Sequence, residues 1–287
     1  MNYNIHIIDS FLKSKADRKP NSLRSITADC KVLSQYLSEN ELSIFQMNNN
    51  ADFTQYANWL KEKYSSRTVH RRLCTLRAVI KYCEDQKIIA KQKDILSIEQ
   101  KFDPIILAET RIISLLYNYC LSCNADDNYF QCRDKMIFLF MIVLGLKPSE
   151  ICYIRVDDIH EQELFFTNSI GKTEYRLWEK DVFREQFDVY MKKRNEWLRK
   201  QGASSDSLFI DRFGNEITPD NIKNAFQKIK KNCSIVENVT LSSIRNRCIL
   251  DYYEQMPDSL LISKIFDITK TRIDKLVECS VSIDTHN

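Results

Sequence analysis

Hydrophobic positions along this chain recur mostly three and four residues apart, the spacing that lines side chains up on one face of a helix. Asn21 to Glu39 reads as a helix with Ile26, Cys30, Leu33 and Leu37 along one side. Asp52 can cap another, with Phe53, Tyr56 and Leu60 in register. After Ser66, the segment SRTVHRRLCTLRAVIKYCEDQK places Val69, Leu73, Leu76, Ile80 and Cys83 in a stripe of 3.6-residue period. The pattern weakens from about Ala90 to Pro104, which predicts a domain boundary there, with one domain over residues 1–95 and a second over 104–287. Residues 105 to 122 then read as a helix, followed by a polar loop at Asn124 to Asn128. Met136 to Leu144 is nearly all apolar and is ended by Gly145, and Pro148 opens a new helix through Ser149, Glu150, Ile151 and Cys152.

The period then changes. Glu163 to Ser169 and Thr173 to Trp178 flank Ile170-Gly171-Lys172, which predicts a β-hairpin with a lysine at its turn. Leu208-Phe209-Ile210 suggests a short extended piece, with a turn at Arg212 to Asn215. Helical spacing returns at Pro219 to Lys231, with Ile222, Ala225, Phe226 and Ile229 on one face, and continues through Ile244 to Met256 and Leu260 to Phe266. All four glycines, Gly145, Gly171, Gly202 and Gly214, fall between these elements and support the segmentation. The expected fold class is mainly α, with one small β-sheet in the second domain.

Composition narrows the function classes. At 287 residues, 44% hydrophobic and 28% charged, the chain can bury two ordinary cores and is far from disordered composition. Its strongest apolar run, Met136 to Leu146, is too short to span a bilayer, and no apolar leader is visible at the start. The expectation is a cytoplasmic protein, nucleoid-associated in a bacterium, with no membrane partner. Ten scattered cysteines sit mostly within apolar patterns and read as small hydrophobes in a reduced compartment. Only Cys120-x2-Cys123 with Cys132 is clustered, and it lacks a second pair or a histidine at ligand spacing, so neither a metal nor a cofactor is expected.

The net charge of +3 is unremarkable in size but unevenly placed. Residues 1 to 99 carry 16 Lys or Arg against 11 Asp or Glu, leaving the remainder slightly acidic. In the helix after Ser66, Arg67, Arg71, Arg72, Arg77, Lys81 and Lys87 face only Glu84 and Asp85. Two readings fit: the solvated side of a helical bundle, or a helix laid along a phosphate backbone. Charge patterning alone does not separate them.

Four segments follow one another in the second domain: LGLKPSEICYIRVDDI, SIGKTEYRLW, LFIDRFGNEITPDNIKNAFQKIKK and VTLSSIRNRCILDYYEQ. In that order they resemble the first arginine box, the lysine hairpin, the segment before the second box and the second box of the tyrosine recombinases, or phage-type integrases. The basic segment of the first domain resembles their helical, SAM-like core-binding domain, and the likeness runs over roughly residues 20 to 280. It implies a SAM-like helical domain followed by a catalytic-type domain with a small β-sheet, the two embracing opposite sides of a DNA duplex. The family's reaction is attack by a tyrosine hydroxyl on a phosphodiester. Two guanidinium groups hold the non-bridging oxygens as charge builds, and a lysine or histidine protonates the departing 5′-oxygen.

Carried over residue by residue, the resemblance implies a degenerate site. Lys147 stands where the first box has arginine, Glu150 matches the acidic residue that follows, and Lys172 matches the hairpin lysine. Arg245 matches the second-box arginine, but Ser242 replaces the histidine before it, and Phe266-Asp267 stands where a Gly-His pair is usual. The nucleophile should fall within about Lys275 to Cys279, which reads Lys-Leu-Val-Glu-Cys, and no tyrosine follows Tyr253. The expectation is therefore a double-stranded-DNA-binding protein that does not cut, an accessory or regulatory factor of a mobile element or recombination system. Its contacts would come from Arg67, Arg71, Arg72, Arg77 and Lys81 in the first domain and from Lys172 and Arg245 in the second. Arg245 and Lys172 should point into one shared cleft, with Lys147 and Glu150 near its wall. The other partners expected are a second copy or an active recombinase. Two alternatives remain: an active enzyme with an unconventional nucleophile (Cys279, Tyr252 or Tyr253) or one supplied in trans, and a structural or protein-interaction module.

Overall fold

The computed structural model describes residues 2–18, 20–48, 50–90, 105–124, 126–160, 163–167, 171–177 and 180–284. The chain divides into two units, Met1–Pro104 and Ile105–Asn287. From residue 91 on, the weakly patterned stretch before Pro104 lies outside the described residues.

The first unit is built from α1 (Asn2–Lys13), α2 (Pro20–Glu39), α3 (Asn50–Lys63) and α4 (Ser66–Asp85). Each buries one stripe. On α4 the five positions picked out by spacing are all buried, joined by Thr75 and Val79. They meet Phe11 of α1, Leu33 and Leu37 of α2, and Tyr56 and Leu60 of α3 in a single core. Each such aliphatic or aromatic side chain contributes about 1.5–3 kcal/mol on burial, so this face dominates the stability of the bundle.

The second unit contains α5 (Thr110–Leu121), α6 (Tyr129–Leu144), α7 (Pro148–Cys152), β1 (Glu163–Thr167), β2 (Thr173–Leu177), α8 (Lys180–Gln201), α9 (Pro219–Asn232), α10 (Leu241–Gln255), α11 (Ser259–Phe266) and α12 (Lys270–Asp284). α6 is its axis, packed by α5, α8, α9 and α10. It starts seven residues before the apolar run. Asn128 and Gln131 cap each other's backbone N–H groups, and the buried Arg133 and Lys135 are neutralised by Asp134 at 2.6 Å and Asp127 at 2.8 Å. The pattern of apolar positions assigns no element where α8 forms. One of its buried positions is Arg194, whose guanidinium donates to the carbonyls of Ser205, Ser207 and Leu208 and so interrupts the stripe of Phe187, Tyr190 and Leu198.

The hairpin forms where the pattern predicts, antiparallel, with Leu164 opposite Arg176 and Phe166 opposite Glu174. Residues 168–170 of the expected turn, and Trp178 beyond β2, lie outside the described residues. Leu208 to Ile210 makes no strand: isolated bridges from Arg155 to Ser207 and from Ile210 to Glu216 hold it instead. A smaller core of Cys248, Ile249, Ile262, Phe266, Ile273 and Leu276 ties α10, α11 and α12 together. No described helix is long and apolar enough to cross a membrane.

Candidate functional site

The second unit's site begins at the corner after α6. Gly145 has φ 62°, the left-handed region that glycine enters without strain, and a β-carbon there would meet Phe266 Cε1 at 2.6 Å. Both constraints call for glycine. The carbonyl of Gly145 accepts a hydrogen bond from Arg245 Nε at 2.8 Å, and the carbonyl of Phe266 accepts one from Arg245 Nη2 at 2.7 Å. Arg245, rising from the first turns of α10, thus satisfies carbonyl groups left over at the ends of α6 and α11. Its guanidinium lies 5.9 Å from the centre of the Phe266 ring. Burial depresses its pKa first, opposed by the nearby Glu150 and Asp267 carboxylates, while Arg272 adds to the depression. An arginine stays charged through such a shift, so a partly buried cation is held in a fixed orientation.

The first-box residues face the same place. Lys147 precedes α7, Pro148 takes the first helical position, and Glu150 folds back so that its Oε2 accepts the Lys147 backbone N–H at 2.7 Å. Glu150 Oε1 meets the Lys147 ammonium at 3.1 Å. Glu150 is 3% exposed, and its charge acts on Arg245. Asp267, in left-handed backbone at the end of α11, is exposed. Ser242 is exposed in the first turn of α10, and the adjacent Ser243 does the capping with Thr240. Lys172 is exposed and pairs with Glu174 at 3.0 Å.

A further charged residue was not legible in the boxes. Arg176 on β2 is 7% exposed, and its guanidinium lies 5.0 Å from the Phe166 ring and 5.1 Å from the Phe266 ring. Burial depresses its pKa first, Glu150 raises it, and Arg245 depresses it again. Lys172 joins this group through Glu174, whose charge also acts on Arg176.

In the window expected to hold a nucleophile, α12 offers the buried Leu276 and the half-buried Cys279, whose Sγ donates to the Ile105 carbonyl at 3.2 Å. Tyr252 stands nearer the arginines. Its ring meets Phe266 edge-on at 5.2 Å, and its hydroxyl donates to the Val143 carbonyl at 3.4 Å. Tyr253 packs half-buried against the small core.

On α4 the basic residues divide into two sets. Arg67, Arg71 and Lys81 share the exposed face with Cys74 and Ala78, and Lys87 is exposed beyond the helix. Arg71 nevertheless hydrogen-bonds to Asp29 of α2 and to the Ser25 carbonyl at 3.3 Å. Arg72 lies 3.5 Å from the other Asp29 oxygen, with its guanidinium 3.6 Å from the Tyr64 ring centre. Arg77 lies against Phe53, its Nε and Nη2 enclosed without acceptors. Asp29 is buried and also accepts from Thr75 Oγ1 at 3.0 Å. The signal for it was present, as a carboxylate inside the Ile26–Cys30–Leu33 stripe.

Cys123, Asp127 and Cys132 place their ligand atoms within 4.8 Å of one another, a donor set that suits a borderline cation. The Lys135 ammonium already lies 2.8 Å from Asp127 Oδ2, a competing charge at the same oxygen. Cys120 is not among the three.

Residues 113–272 match the phage integrase family, and residues 8–87 match the phage integrase N-terminal SAM-like domain. The chain is 20% identical over 286 residues to tyrosine recombinase XerD of Oceanobacillus iheyensis, covering 95% of this chain and 93% of the relative. It is 26% identical over 196 residues to tyrosine recombinase XerD of Chlamydia muridarum, covering 67% and 64%. Among solved structures, the XerH site-specific recombinase bound to difH substrate superposes with a TM-score of 0.70 at 10% identity, over 89% of this chain and 76% of that one. The Lambda Integrase bound to DNA superposes with a TM-score of 0.65 at 12% identity, over 95% of each. The likeness to these solved structures is one of fold.

Proposed function

The chain belongs to the phage integrase family, and on that premise we propose that it binds double-stranded DNA without cutting it, as an accessory or regulatory factor of a recombination system. One observation carries the reading. The phosphate-holding side of the site persists as a fixed Arg245 beside Glu150 and Lys147, while the helix that should bring a tyrosine offers Lys-Leu-Val-Glu-Cys. A guanidinium on a partly buried shelf can still clamp the oxygens of a phosphodiester. Without a tyrosine hydroxyl on α12 to attack, the clamp is a binding contact. Lys147 adds a point charge but not a fork, and Ser242 and Asp267 provide no imidazole for proton transfer. The Lambda Integrase structure is a complex with DNA and the XerH structure a complex with its difH substrate, which supports duplex DNA as the ligand here. The exposed cations of α4 and Lys172 would add phosphate contacts of their own.

Binding is tested by titrating a mixed-sequence duplex over a series of salt concentrations. The expected result is affinity that falls linearly on a logarithmic salt axis, as counterion release requires, and supercoiled plasmid left intact after long incubation. A flat salt response would remove DNA as the ligand, and relaxed plasmid would remove the non-cutting claim. A second reading, cleavage by an unconventional nucleophile, is favoured by one contact: Tyr252 packs against Phe266 within the same cluster.

A further inference from the structure

β2 turns the wrong residues inward. A strand packed against an apolar core normally sets apolar side chains inward and polar ones out. In Thr173–Leu177 the inward-facing pair is Glu174 and Arg176, while Tyr175 and Leu177 stand 57% and 67% exposed. Burying a guanidinium here costs desolvation that an apolar side chain in the same place would not incur. Arg176 is held opposite Leu164, between the Phe166 and Phe266 rings, and Phe266 is the ring that the Arg245 guanidinium also approaches.

The local charges do not balance. Arg176, Arg245, Arg272, Lys147 and Lys172 stand against three carboxylates, Glu150, Glu174 and Asp267; Glu174 is paired with Lys172, and both oxygens of the buried Glu150 are engaged by Lys147. Neither the Arg176 nor the Arg245 guanidinium hydrogen-bonds to Glu150 among the described residues. Arg176 Nη1 donates to the Tyr175 carbonyl at 2.9 Å, but its Nε is enclosed with no acceptor. Among the described residues Arg176 Nη2 and Arg245 Nη1 have none either. Two like charges about one ring, with donors left over and burial acting against both, describe a place that an oxyanion would complete.

We propose that Arg176 is the second guanidinium of the Arg245 site and grips the same DNA phosphate, supplying from the hairpin the fork that Lys147 lacks. The inference rests on reading the Arg245 site as one that holds a DNA phosphodiester. Arg176 comes from β2 and Arg245 from α10, and both guanidinium groups approach the Phe266 ring. Two planar forks can then share the non-bridging oxygens, with Lys147 kept on Glu150.

The test is fluorescence anisotropy with a mixed-sequence duplex on the full chain, over a salt series, with thermal melts of every variant. Arg176→Met keeps the stem in its aromatic slot and removes the donors. It should weaken binding about ten- to a hundredfold, the worth of a charged hydrogen bond, and lower the salt slope by about one. Arg176→Lys keeps the charge without the fork, and should restore the slope but only part of the affinity. Combined with Arg245→Lys, the Arg176→Met loss should be smaller than in the wild-type background, because the two residues share one phosphate. A folded Arg176→Met chain with wild-type affinity and slope, alongside a weakened Arg245→Lys chain, would overturn the inference and leave the phosphate reading standing. If neither substitution weakens binding, the phosphate reading itself fails. Should Arg176→Met unfold, Arg176→Lys decides: full affinity with lysine contradicts the need for a fork.

Discussion

Arg245 is oriented before any ligand arrives, because two of its nitrogens already bridge the Gly145 and Phe266 carbonyls. Preorganisation of this kind lets one residue contribute a full charged hydrogen bond rather than spend it on ordering. Arg245→Ala should therefore reduce DNA affinity by about 1.5–3 kcal/mol, read by anisotropy, with Arg245→Lys losing less. The alanine variant also strands two carbonyls, so its melting temperature should fall. Gly145→Ala should lower stability by more than about 1 kcal/mol in a urea melt, since it combines a left-handed φ with a β-carbon driven against Phe266. At this scale the resemblance located Lys147, Glu150, Arg245 and Asp267, and the structure brings their charges to one corner. Arg176 escaped notice for a physical reason. On a five-residue strand, period alone does not reveal that the polar face is the buried one.

α4 shows how far an element can be read from its pattern. Its apolar stripe was fully legible, because 3.6-residue spacing decides which side is buried. Its charges were less so. Arg71, Arg72 and Thr75 converge on Asp29, a partner 42 or more residues away in sequence that only tertiary packing reveals. Removing Arg71 and Arg72 together would thus mix lost DNA contact with a stranded carboxylate. The cleaner pair is Arg67→Ala with Lys81→Ala, which should lower the salt slope by about two and leave the melting temperature unchanged. Asp29→Ala should do the reverse of that stability result, costing up to about 3 kcal/mol in a denaturant melt by leaving the largely buried Arg72 guanidinium unpaired. The same logic accounts for α8 and the start of α6, where Arg194, Arg133 and Lys135 are buried by specific partners and blur the hydrophobic period.

At the scale of the whole molecule, the chain carries both parts of the phage integrase plan, a SAM-like helical unit and a larger unit with one hairpin. On the function proposed above, divergence lies in chemistry rather than in fold: the two family matches cover both units, while the residues proposed to have changed are those that would move protons or attack phosphorus. A scaffold in that condition retains its electrostatic contacts longer than its reaction, because binding is spread over many cations and cleavage needs one hydroxyl in one place. The most direct measurement offers the purified chain a nicked suicide duplex, which traps any strand joined to protein, and resolves the products under native and denaturing conditions. The account predicts a retarded complex on the native gel and no protein-linked DNA after denaturation. A covalent adduct from the wild-type chain, lost on Arg245→Ala, would contradict it and direct the search for the nucleophile to Tyr252, Tyr253 and Cys279.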